Sequence, residues 1–227
     1  MAAETMTNLH DHELEGALIV SAVNTPEQSR ALVPLSAEAR AVVRHNRREV
    51  AGIIRGEDPR LLVVLGPCSM NFTLNQETQS TAQMLAVLQD QLPGLKLMMR
   101  LPGEKPRSGN KATDWAGAIT DPDMDGSNRQ NQGIMQARLT YNAIMSTGIP
   151  VATEQLDPAL WPHIRDQISF GWLGSRNVQN NAQWRHISAE PMAFGIKNGT
   201  DGDMKTVLGA MRTAASPQVF LGRDLHG

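Results

Sequence analysis

A single cysteine in 227 residues excludes an internal disulfide and fits a reducing compartment, so a cytoplasmic location is expected. Four phenylalanines, four tryptophans and one tyrosine are too few for a platform that stacks single-stranded nucleic acid. A net charge of −2 leaves no basic excess for a phosphate backbone either. No apolar run approaches the roughly 20 residues of a membrane-spanning helix. The polar start MAAETMTNLHDHELEG lacks the basic and apolar regions of a secretory signal. Repeats and low-complexity tracts are missing too. What remains is a chain large enough for one core, suited to small molecules.

The pattern along the chain alternates. Residues 1–34 show little periodicity and read as an arm, packed on a partner or on the underside of the domain, which spans 35–227. Ser36 reads as a helix N-cap, with Glu38 in the first turn, and Ala39, Val43, Val50 and Ile54 give a helix to about Arg55. LLVVL (61–65) reads as a strand buried on both faces. A helix bearing Met84, Leu85, Leu88 and Leu92 on one side follows. LKLMM (95–99) is a second strand, and a long polar loop, Pro102–Asp123, leads to a helix at about 128–146. IPVAT (149–153), FGWLG (170–174), MAFGI (192–196) and QVFLG (218–222) read as further strands. Helices near 158–167, 178–189 and 203–215 separate them. Buried strands alternating with helices imply a parallel α/β sheet, either doubly wound or most of a (β/α)8 barrel. No Gly-x-Gly-x-x-Gly follows the first strand, which counts against a dinucleotide fold.

Polar residues gather after the strands. The first ends in Gly-Pro-Cys68-Ser69, the second in Arg100 and then Glu104-Lys105-Pro106-Arg107-Ser108. The third ends in Glu154, the fourth in Ser175-Arg176, the fifth in Lys197-Asn198-Gly199. Parallel α/β folds bind ligands at the carboxyl ends of their strands. Any one cation there would read as solvated loop. Arg100, Lys105, Arg107, Arg176 and Lys197 together point to an anionic substrate, most simply a phosphate or carboxylate. Cys68 alone reads more readily as a small buried side chain than as a metal ligand. His10-Asp11-His12 reads as solvated surface, and His226 has no identifiable partner. Asn198-Gly199-Thr200-Asp201-Gly202 would serve as a turn and helix cap, although its amides could face a phosphate.

LLVVLGPCS, MMRLPGEKPRS, ITDPDMD, the Gly-Ser-Arg after the fourth strand and FGIKNGTDG, in this order, resemble the motifs of class I 3-deoxy-D-arabino-heptulosonate 7-phosphate (DAHP) synthases. The similarity runs from about Ala39 to Leu221. It implies a (β/α)8 TIM barrel and a transferase that condenses phosphoenolpyruvate with erythrose 4-phosphate. That aldol-type reaction opens the shikimate pathway to the aromatic amino acids. The resemblance implies that Arg100, Lys105, Arg176 and Lys197 hold the phosphate and carboxylate of phosphoenolpyruvate, with Ser175 beside Arg176. It places Arg107 and Ser108 in the segment that grips erythrose 4-phosphate, and Glu154 in the wall of the same pocket. Cys68 matches one ligand of a divalent metal of the Mn, Fe, Co or Zn type, and Lys105 is the catalytic candidate, polarising the aldehyde. Homo-oligomerisation is expected from the family, with no nucleic-acid or membrane partner.

Departures accompany the match. About six of the family's eight strands are expected here. The other three metal ligands of the family, a His, a Glu and an Asp, lie beyond the region matched, and one thiolate does not make a closed site. Open strand edges would follow. The stretch after Lys-Pro-Arg is about three residues longer than usual, Ala116 stands where the family has lysine, and Pro-Gly-Glu-Lys replaces Tyr-Phe-Glu-Lys. The expected function is therefore DAHP synthase. The alternative is a truncated homologue without turnover that binds phosphoenolpyruvate or a partner. A different phosphosugar-binding barrel stands as a third reading, since a shared fold does not fix the chemistry.

Overall fold

The computed structural model describes residues 22–107 and 115–217. The chain begins with α1 (Pro26–Leu32) and α2 (Ala37–Ile54). It then alternates: β1 (Leu61–Leu65), α3 (Asn75–Gln91), β2 (Leu95–Arg100), α4 (Gln130–Met145), β3 (Val151–Glu154), α5 (Trp161–Ile164), β4 (Phe170–Leu173), α6 (Asn181–Ser188), β5 (Phe194–Ile196) and α7 (Lys205–Ala214). The strand expected at 218–222 lies outside the described residues, as do Ser108, His10, His12 and His226.

All five strands are parallel and lie in the order β1-β2-β3-β4-β5. A doubly wound sheet reverses its strand order at a switch point. No reversal occurs here, so every crossover turns the same way and the sheet curls as part of a (β/α)8 barrel. The ambiguity left by the sequence is thereby resolved.

Strand periodicity sorts two cores. Leu97, Met99 and Leu101 pack under the helices with Ile134, Ala137, Tyr141 and Ile144 of α4. Met98 and Ala152 face the barrel interior instead, with Leu62, Val64, Phe170, Trp172 and Ala193 around them. Val50 of α2, fully buried, closes the floor of that interior. The Ser36 hydroxyl caps α2 by accepting the Ala39 N–H at 3.1 Å. Glu49 of α2 pairs with Lys96 Nζ on β2 and with Arg60, each at 2.6 Å. Burial works to raise the Glu49 carboxyl, but the Lys96 and Arg60 hydrogen bonds outweigh it and leave the group below its ordinary value.

Several expectations need correction. β1 is not buried on both faces: Leu61 is 65% exposed and Leu65 37%, because β1 pairs only with β2 among the described residues. On α3, Leu85 is buried, but Met84 and Leu92 are exposed, as is Ile54 at the end of α2. The loop read as polar over Pro102–Asp123 contributes Ala118, Ile119 and Asp121 to the interior. Backbone pairing makes this possible: the Ile119 N–H donates to Gly103 O at 3.0 Å, and the Lys105 N–H to Ala116 O at 2.8 Å. Residues 26–33 pack tightly on the domain. Arg138, fully buried on α4, donates to Val33 O at 2.9 Å and makes a two-pronged bridge to Asp166. Ser29 Oγ lies 2.8 Å from His163 Nδ1.

Candidate active site at the strand ends

The inward phase of the sheet delivers the site. On β2 the residues Lys96, Met98 and Arg100 share one face; on β3, Ala152 and Glu154 do; on β4, Phe170 and Trp172. Arg100 and Glu154 are thus the last inward residues of their strands. Lys197, directly after β5, keeps the ladder going by donating its N–H to Leu173 O at 3.0 Å.

Close backbone approach shapes the rim. Gly66, with φ at 148°, lies so near β2 that an added Cβ would sit 2.5 Å from Arg100 O. This turn folds Pro67 and Cys68 over the strand end, where Arg100 Nη1 donates to Pro67 O at 2.9 Å. The Arg100 guanidinium also lies 5.7 Å from the ring centroid of Trp172, a stacking contact that orients the fork. Lys105 Nζ reaches Cys68 O at 2.6 Å and Cys68 Sγ at 3.2 Å. Hydrogen bonds from Lys105 and then Arg100 pull the Cys68 thiol below its ordinary value. Cys68 is exposed, so it is not the buried small side chain that the residue type alone suggests.

Two carboxyls balance these cations. Burial pushes Glu154 up, opposed by a hydrogen bond with Trp172 and by the charges of Arg100, Lys105 and Arg176. Its Oε1 occupies space that only Gly174 leaves free, since a Cβ there would lie 2.0 Å away. Glu104 is 7% exposed, and burial, followed by the nearby Asp157 and Glu154 charges, raises it to about 8. Its one printed partner is distant, the Asp157 N–H at 3.5 Å.

Cys68, Arg100, Lys105, Glu154 and Arg176 therefore form one electrostatic cluster. Lys197 is exposed on the same rim, and Ser175 is half-buried in the turn after β4. Arg107 sits further out and donates to Trp115 O at 2.9 Å. Glu104 and Trp172 were not singled out as site residues from the sequence. Inward alternation with Phe170 could have found Trp172; no local signal marks the burial of Glu104.

A metal site is not complete among the described residues. No group of three or more His, Cys, Asp or Glu side chains there could hold a metal ion. Cys68 supplies one soft donor, already bonded to Lys105, and one thiolate does not close a divalent site.

Comparison with known proteins agrees with this geometry. The model of the DAHP synthetase I family matches residues 32–225. A Tyr-sensitive phospho-2-dehydro-3-deoxyheptonate aldolase of Escherichia coli is 38% identical over 205 residues, covering 89% of this chain and 56% of that protein. A Trp-sensitive one of Salmonella typhi is 38% identical over 215 residues, covering 95% of this chain and 60% of its own length. The chain thus spans less than two thirds of these relatives. The structure of a phospho-2-dehydro-3-deoxyheptonate aldolase from Francisella tularensis superimposes with a TM-score of 0.78 at 31% identity, over 88% of this chain and 57% of the other. A Thermotoga maritima structure of the same name, 20% identical with a TM-score of 0.50, covers 70% of this chain and 38% of its own and supports the fold alone. Matched over most of its length, with its cations placed at the carboxyl rim of a parallel barrel sheet, this chain belongs to the DAHP synthetase I family.

Proposed function

We propose that this chain carries the phosphoenolpyruvate-binding part of a 3-deoxy-7-phosphoheptulonate synthase. That enzyme joins phosphoenolpyruvate, erythrose 4-phosphate and water to give DAHP and inorganic phosphate. The observation that carries this reading is the rim cluster: Arg100, Lys105 and Arg176 bear on one half-buried carboxyl, Glu154, in a chain whose net charge is −2. Arg100, held by Pro67 O and Trp172, presents a preoriented fork for a carboxylate or phosphate. Arg176 and Lys197 complete the anion cradle, with Ser175 in the turn between β4 and Arg176. Lys105 is the catalytic group, able to polarise an aldehyde oxygen while phosphoenolpyruvate's enol carbon attacks. Arg107 and Ser108 belong to the erythrose 4-phosphate side. Holding two phosphorylated substrates together requires this density of positive charge, because their own charges repel.

In this reading the divalent metal of the family would have Cys68 as one ligand. No step here is assigned to it, since the described residues do not provide the others. A second reading, a homologue that binds phosphoenolpyruvate or a partner without turnover, is favoured by that same incomplete donor set. No helix among the described residues is long and apolar enough to cross a membrane, and a cytoplasmic setting goes with the proposal. A homo-oligomer is part of it too.

Calorimetric titration with phosphoenolpyruvate tests the site. Saturable binding should weaken at least tenfold in Arg176→Ala; equal affinity in both proteins would refute the anion cradle. Turnover with Mn2+ and both substrates, lost in Cys68→Ala, would decide for catalysis by this chain over the second reading.

A further inference from the structure

The side of the barrel between β1 and β5 is open. β1 has no partner on its outer edge among the described residues, and Leu61 and Leu65 are exposed while Leu62, Val63 and Val64 are only half-buried. By contrast, Leu97, Met98 and Met99 on the neighbouring strand are at most 3% exposed. The interior core shows the same asymmetry. Val50, Met98 and Ala152 are sealed, but Leu62, Val64, Phe170, Trp172 and Ala193 around them are not. A cavity of about 830 Å³ lies between α2 and the start of β5, against Ala51, Pro191, Met192 and Ala193. Its cationic lining is Arg44, Arg47, Arg48 and Arg55, and no carboxylate lines it. Arg47 is engaged by Ile168 O and Arg165 O, and Arg55 by Glu57. Arg44 and Arg48 are exposed beside this apolar floor.

We propose that this open side is a docking surface for a polypeptide carrying the last two strand–helix units of a homologous barrel, which lays a parallel strand along β1 and presents carboxylates to Arg44 and Arg48. The proposal rests on the family reading above, which sets eight as the number of strands at closure. Five strands are described and a sixth is expected at 218–222, so two places remain. A second copy of this chain fits poorly, because two copies bring at least ten strands to an eight-stranded ring. The relatives' lengths agree, since 40–44% of each lies outside the match (100 − 60 and 100 − 56). Charge complementarity specifies the partner further: an arginine-lined, carboxylate-free mouth over an apolar floor favours an acidic rim around an apolar strand.

The test mixes this chain with the separately produced C-terminal part of the Escherichia coli Tyr-sensitive relative, beginning after its matched region. Light scattering on the eluted species should show a one-to-one complex. Amide exchange of β1 residues 62–64 should slow at least tenfold on mixing. The double variant Arg44→Glu, Arg48→Glu, both changes on exposed helix positions, should keep its helical circular dichroism and weaken the complex at least tenfold. The proposal is overturned if no complex forms, or if β1 is already protected in a homodimer of this chain. Undiminished affinity of the double variant overturns it too. Phosphoenolpyruvate titration of Arg176→Ala reads the anion cradle separately, so loss of either claim leaves the other standing.

Discussion

Glu104 illustrates how one buried carboxyl ties the site to solvent conditions. Its folded value of about 8 stands well above its ordinary 4.5, chiefly through burial. Between those two values the folded chain holds a proton that the unfolded chain releases. Stability from this group is therefore present below about pH 4.5 and is lost as pH rises through about 8. We expect urea unfolding to show a decline on the order of 2–4 kcal/mol from pH 5 to pH 8, and Glu104→Gln to remove most of that slope. Parallel slopes in the two proteins would show that Glu104 ionises normally. The neutral acid also has a consequence for Lys105 beside it, which keeps its charge for Cys68 and for ligand instead of spending it on a neighbouring carboxylate.

At the level of elements, the first helix and the outer layer are joined through α4. Arg138 is fully buried and spends its donors on Val33 O, His163 O and both oxygens of Asp166. Removing it leaves those acceptors without a donor, so Arg138→Met should cost roughly 3 kcal/mol in a urea titration. Exchange should quicken first in residues 26–33, whose end the guanidinium holds; uniform quickening across the domain would argue against a local tie. Helix α2, its Ser36 cap and the order of alternating elements were legible in the sequence because capping and periodicity are local. Arg100, Glu154 and Lys197 were legible for a related reason, since strand ends carry the polar exceptions to apolar runs. The exposure of β1 was not, because LLVVL looks the same whether or not a neighbour pairs with it. The apolar content of the loop after β2 was hidden as well: Ile119 is buried through contacts with Gly103 and Tyr141, which are distant in sequence.

For the whole molecule, the balance between a closed helical layer and an open strand edge governs behaviour in solution. An unpaired apolar edge invites pairing with other chains. Leu61→Lys places a charge on an outer, 65% exposed position of β1. It should lower light scattering at high protein concentration while changing stability by less than about 0.5 kcal/mol, as for most surface substitutions. Unchanged scattering would locate the self-association elsewhere, with the exposed Leu208 and Met211 of α7 as the next surface to examine.

The floor formed by α2 has a consequence for the order of events during synthesis. Arg47 is anchored by the carbonyls of Arg165 and Ile168, 118 and 121 residues further along. Glu49 waits 47 residues for Lys96. A nascent chain emerging from its first residue onward therefore makes its floor early but cannot seat it until β4 begins to appear. In that interval Val50 faces water, and the arginine-rich face of α2 is what the growing chain shows to its surroundings.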